Sequence, residues 1–184
     1  MGRFDFDRFN GFARSSLDDF LFDDLWNHDI FNERDMHSSA YYYIREYFRK
    51  HDRGDVYVRC EPQLARMKPD IVVYNRGHPA YVLEFKFFSK PEYVNEVAVY
   101  DDLDKLAEAV DAYESVKWGF FHMIYDADEP FKFSDSRLRR RGYAKISVTS
   151  INARRKEEND RRRTGYDDWR AEFDRLQNLH RKHA

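Results

Sequence analysis

The sequence predicts an α/β fold, a mixed central sheet with flanking helices and a helical extension at each end. Two observations carry that expectation. Short runs rich in Val, Ile, Tyr and Phe stand at 56–60, 71–74, 80–88 and 118–125, the composition of buried strands. Around them lie stretches whose apolar residues recur every three or four positions, as on one face of a helix. The 184 residues divide into an acidic, Phe-rich segment over 1–31, a central domain over 32–151 and a basic helical segment over 152–184.

Each element has its own signals. Phe4, Phe6, Phe9 and Phe12 punctuate a polar start that either caps the sheet or docks on a partner. Over 16–27, Leu17, Phe20, Leu21 and Leu25 form one stripe, and Ser16 with Asp19 matches a capping box. Asn32 suits the N-cap of a helix reaching about Lys50, with Met36, Ala40, Ile44 and Tyr47 turned inward. Glu33 falls on that inward stripe, whereas Glu46 falls on the solvent side. Cys60 alternates with Tyr57 and Arg59 in its strand and is expected as a small core residue. The run Asn75-Arg76-Gly77-His78-Pro79 reverses the chain between two strands. After Lys90-Pro91, a helix over 101–115 presents Leu103, Leu106, Ala107, Val110 and Tyr113 on one side and leads to the 118–125 strand. A strand, helix, strand passage of this length is the usual crossover between parallel strands. Residues 143–151 extend the sheet. In the last helix Tyr166, Trp169, Phe173, Leu176 and His180 make a narrow stripe, for docking on the domain or on a second copy.

Composition narrows the function classes. The chain has 16 Phe and 13 Tyr, which excludes disorder over most of its length. Its single cysteine excludes an internal disulfide and suits a reducing, cytoplasmic compartment. No long apolar run and no secretory-type start indicate a membrane span or export. No Cys/His cluster has zinc spacing, and no Gly-rich phosphate loop occurs. The net charge of −2 argues against indiscriminate coating of nucleic acid, but the charge is unevenly spread. Residues 1–40 hold nine acidic and four basic side chains; residues 136–163 hold eleven basic and three acidic. Arg139, Arg140, Arg141, Arg154 and Arg155 in that second stretch are candidates for phosphate contact, or else solvate a surface and pair with the acidic start.

The chemistry concentrates in two neighbouring strands. Asp70 stands at the start of Ile71-Val72-Val73-Tyr74, and Glu84 and Lys86 interrupt Ala80-Tyr81-Val82-Leu83-Glu84-Phe85-Lys86-Phe87-Phe88. Glu84 and Lys86 project to the same face as Val82. Apolar strands tolerate such charges poorly unless they are paired or hold a cation. The intervening turn can bring Asp70 and Glu84 together, where two carboxylates repel unless one is protonated or a cation separates them. Mg²⁺, or Mn²⁺ in its place, suits one or two carboxylates plus phosphate oxygens. Lys86 adds a positive charge or a shiftable proton beside the attacking water. The bland alternative is an edge hairpin whose Asp, Glu and Lys form a solvated salt bridge.

Pro69-Asp70 with Glu84-Phe85-Lys86 resembles the PD-(D/E)XK nuclease superfamily, over about residues 32 to 126. The resemblance implies a restriction-endonuclease-like αβββαβ core and Mg²⁺-dependent cleavage of phosphodiester bonds, with DNA as the expected nucleic acid. It implies that Asp70, Glu84 and the backbone carbonyl of Phe85 ligate the metal and that Lys86 positions or deprotonates the attacking water. The superfamily also places an acid on its first helix, and Glu33 is the candidate, as a ligand or an orienter of water; its alternative is a helix-start charge. His37, one turn on, either reaches a phosphate or packs. Lys105 either approaches DNA or is solvated. A homodimer would suit cutting of both strands of a duplex. Members that keep the fold without the reaction make a module binding nucleic acid or protein the alternative.

Overall fold

The computed structural model describes residues 4–51, 55–64, 66–139, 143–154 and 166–183. Three layers stack: helices, a five-stranded mixed sheet, and a further helix. The elements run α1 (Phe6–Gly11), a π-helical turn (Phe12–Ser16), α2 (Leu17–Trp26), α3 (Glu33–His51), β1 (Val56–Cys60), β2 (Ile71–Asn75), β3 (His78–Phe88), a 3₁₀ turn (Pro91–Tyr93), α4 (Glu96–Ala112), β4 (Trp118–Tyr125), α5 (Asp135–Leu138), β5 (Ile146–Asn152) and α6 (Tyr166–His183). The strands lie in the order β1-β2-β3-β4-β5, antiparallel from β1 to β3 and parallel from β3 to β5.

The expected hairpin forms around Arg76 and Gly77, both at positive φ (52° and 82°). A two-residue turn of that kind matches the twist of its strands, and glycine takes the second position without strain. Pro79, which cannot donate to the ladder, falls where the β2/β3 register shifts. The crossover β3–α4–β4 forms as its spacing predicts. However, α4 begins at Glu96 rather than at 101, because the Asn95 side chain accepts hydrogen bonds from the N–H groups of Val97 and Ala98 (3.0 and 3.3 Å). At Gly119 the helix comes so close that an added Cβ would lie 2.9 Å from Val110 Cγ2.

Two apolar clusters flank the sheet. On one face α1 to α3 cover Ile71, Val73, Leu83, Phe85 and Phe120; on the other α4 covers Val72, Val82, Phe121 and Met123. The N-terminal segment belongs to the first cluster. Phe9 is fully buried, its ring 4.6 Å from Tyr81 and 5.0 Å from Phe48. The Ser16–Asp19 capping box does not form: Ser16 has helical dihedrals, since the π-helical turn carries the helix through without an interruption to cap. Cys60 is exposed rather than in the core, because it stands at the last position of edge strand β1. Helix α6 docks through buried Phe173 beside Phe31, and Gln177 Nε2 donates to the Phe31 carbonyl (2.9 Å). Arg170 reaches Asp126 at the end of β4 (2.6 Å). No described helix is long and apolar enough to cross a membrane.

Candidate active site

The unequal lengths of β2 and β3 create the site. Their register ends at Ile71↔Leu83, so β3 continues from Glu84 to Phe88 without a strand on that side. Freed backbone donors must find other partners. The Phe85 N–H donates to Asp70 Oδ2 (2.7 Å), and the Phe87 N–H to Glu33 Oε2 (3.4 Å). In an extended strand the N–H and C=O of one residue point the same way, so the Phe85 carbonyl also faces the Asp70 side.

Asp70 thus comes beside β3 near Glu84, and Glu33 comes beside Lys86. Asp70 is a close charged neighbour of Glu84. Glu84 is only 6 % exposed; burial, then the Asp70 charge, pushes it up to about 10, so it holds its proton at neutral pH. Lys86 Nζ lies 2.7 Å from Asp102 Oδ2 and 3.3 Å from Glu33 Oε2. Burial works against its charge, but Asp102 and Glu33 outweigh burial and raise its pKa. Asp102 also takes Lys105 Nζ at 2.6 Å, which raises the Lys105 pKa.

Glu33 owes its position to the cap of α3. Asn32 Oδ1 accepts from the Asp35 N–H (3.1 Å), while Asp35 Oδ2 accepts from the Phe31 N–H (3.0 Å) and from Asn32 Nδ2 (2.8 Å). One turn on, His37 packs rather than pointing to solvent. Its Nε2 lies 3.2 Å from Asp70 Oδ2, close enough for an ion pair although too poorly aligned for a hydrogen bond. Burial lowers the His37 pKa, and Asp70 outweighs it, so the net shift is upward.

Behind the site, on the α2 side of the sheet, Phe85 stacks on His122 (5.2 Å, 15°). His122 Nδ1 sits 2.7 Å from Asp18 Oδ1 and 2.9 Å from Thr149 Oγ1. This buried cluster holds the Phe85 ring and ties α2 to β4 and β5. The sequence carried a signal for it, a lone imidazole within Phe120-Phe121-His122-Met123. Asp102 is the other residue that pattern reading missed. It lies four positions before Leu106, so an acid stands on the apolar stripe of α4.

The basic candidates lie apart from this cluster in sequence and in part outside the described residues. Arg154 is engaged by Asp126 (2.8 Å) and by Asp128, and Arg139 lies 3.8 Å from Asp135. Arg140, Arg141 and Arg155 fall outside the described residues.

Two adjoining carboxylates and one main-chain carbonyl form a hard-oxygen donor set. Among the described residues no three His, Cys, Asp or Glu side chains gather as a metal site, so a closed zinc centre is not what this set resembles. A Mg²⁺ ion needs only one or two carboxylates, keeping water and substrate oxygens for the rest. The Asp70–Glu84 pair fits that requirement: a dication between the two acids would replace the proton on Glu84. Compared with known protein families, curated proteins and solved structures, the chain matches none.

Proposed function

We propose that this chain is a Mg²⁺-dependent nuclease of the restriction-endonuclease-like kind, hydrolysing phosphodiester bonds of nucleic acid, with DNA as the expected substrate. The observation that carries the proposal is buried Glu84 beside half-buried Asp70, with a lysine two residues along the same strand as Glu84. A structural salt bridge would match each acid to a cation. Here His37 lies 3.2 Å from Asp70, while Glu84 faces Asp70 itself, and a proton or a metal ion at Glu84 relieves that repulsion.

Asp70 and Glu84 would hold the ion with the Phe85 carbonyl. When bound, Mg²⁺ supplies the charge that polarises water and screens the anionic phosphodiester from its attacker. Lys86, kept cationic by Asp102 and Glu33, orients that water and offsets charge on the pentacovalent transition state. Glu33 restrains both Lys86 and the free edge of β3 at Phe87. Lys105, 59 % exposed beside Asp102, would meet a substrate phosphate in this reading.

Cleavage of labelled single-stranded and duplex DNA in Mg²⁺, Mn²⁺ and EDTA tests the proposal. Cutting should require the metal and fall by at least about 100-fold in Asp70→Asn and in Lys86→Ala, with circular dichroism unchanged. Full activity in both variants would overturn it. Binding without metal-dependent cutting would mark the chain as a non-catalytic module.

A further inference from the structure

We propose that the edge of the sheet beside this site is a stacking platform for single-stranded nucleic acid. Tyr57 of β1 and Tyr74 of β2 are register partners, with rings 4.8 Å apart and 6° from parallel. The Arg59 guanidinium lies 5.4 Å from the centre of the Tyr57 ring. Packing of β1 on β2 accounts for the contact between the two rings. It does not account for an outer tyrosine left 40 % exposed with an exposed arginine above it.

The platform lies on the same face of the sheet as the site. Tyr74 packs against the apolar cluster under α4 that contains buried Val72, and Asp70 is two residues past Val72 along that face. Four residues of strand put Tyr74 about 13 Å from Asp70, a span that a few nucleotides of unpaired chain bridge. Charge sets the route. The outer face of α4 carries exposed Asp101, Asp104, Glu108 and Asp111 against Lys105, so a polyanion is disfavoured along the helix beyond that lysine. Arg59 draws a phosphate to the β1 side. A flat ring pair can take the open face of a base, and in a duplex that face is already stacked on its neighbours. The ligand class is therefore an unpaired strand with bases free.

This inference rests on the nuclease reading for its substrate, but its test does not require cleavage. Fluorescence anisotropy in EDTA, with fluorescein-labelled oligothymidylate and with a hairpin duplex of equal length, measures binding alone. The wild-type chain should prefer the unpaired oligonucleotide. Tyr57→Ala should weaken that binding by about tenfold, and Tyr57→Phe should restore it. Arg59→Ala should also lower the slope of log affinity against log salt by about one. Thermal midpoints taken alongside show that the variants are folded. Equal affinity for both probes, or unchanged binding in Tyr57→Ala, would overturn the platform. Binding through Tyr57 by a protein that cuts nothing would uphold the platform and defeat the nuclease reading. Cutting by the wild type, with unchanged KM in Tyr57→Ala and Arg59→Ala, would do the reverse.

Discussion

Glu84 is the residue on which the chemistry turns. Its ordinary value is 4.5, and burial beside Asp70 takes it to about 10. Between those values the folded chain keeps a proton that the unfolded chain has released, so metal-free stability falls as pH rises from 4.5 toward 10. Glu84→Gln removes that linkage. Its thermal midpoint in EDTA should drop less than that of the wild type between about pH 5 and about pH 9; an equal drop would mean that Glu84 titrates normally. Asp102 acts through Lys86. In Asp102→Asn the lysine loses the nearer of its two carboxylates while burial still opposes its charge, so its pKa should fall. Cutting should slow by about 10- to 100-fold, and the alkaline limb of the pH–rate profile should move to lower pH. A rate loss with the limb unmoved would leave Asp102 a packing role only.

At the scale of elements, the hairpin and the crossover set the geometry. The hairpin was legible because its signals are local: Asn75-Arg76-Gly77 for the turn, alternation for the faces, and an acid at the start of β2. The site's second layer was not legible in the same way. Asp102 reaches Lys86 only because the crossover packs α4 across β3, and the Asn95 cap starts α4 ahead of the apolar stripe that marks the helix in the sequence. The His122–Asp18–Thr149 cluster joins residues more than a hundred positions apart, which no local spacing encodes. The α4–β4 contact can be tested directly. Gly119→Ala places a methyl 2.9 Å from Val110 Cγ2 and 3.0 Å from Leu106, so denaturant unfolding should show a loss of about 1–3 kcal/mol. A neutral result would show that α4 can shift outward, and Asp102 with it.

In the whole molecule the helices at the start of the chain are a structural layer. Phe9, Ala13, Leu17 and Leu21 are fully buried and close the sheet face opposite α4. Periodicity revealed their apolar side but not its occupant, because an amphipathic helix reads the same whether it covers its own sheet or a partner. Phe9→Ala should cost about 3–5 kcal/mol in denaturant unfolding, and removal of residues 1–31 should leave a chain that aggregates; a stable truncated protein would return this segment to the role of a partner-docking arm. The central claim concerns the metal, and calorimetric titration of Mn²⁺ into the folded chain reads it without reliance on any substrate. One ion is expected to bind, releasing about one proton near neutral pH as Glu84 gives up its own, and Glu84→Gln and Asp70→Asn are expected to abolish that heat. Absence of binding at millimolar Mn²⁺, or binding that survives both substitutions, would contradict it.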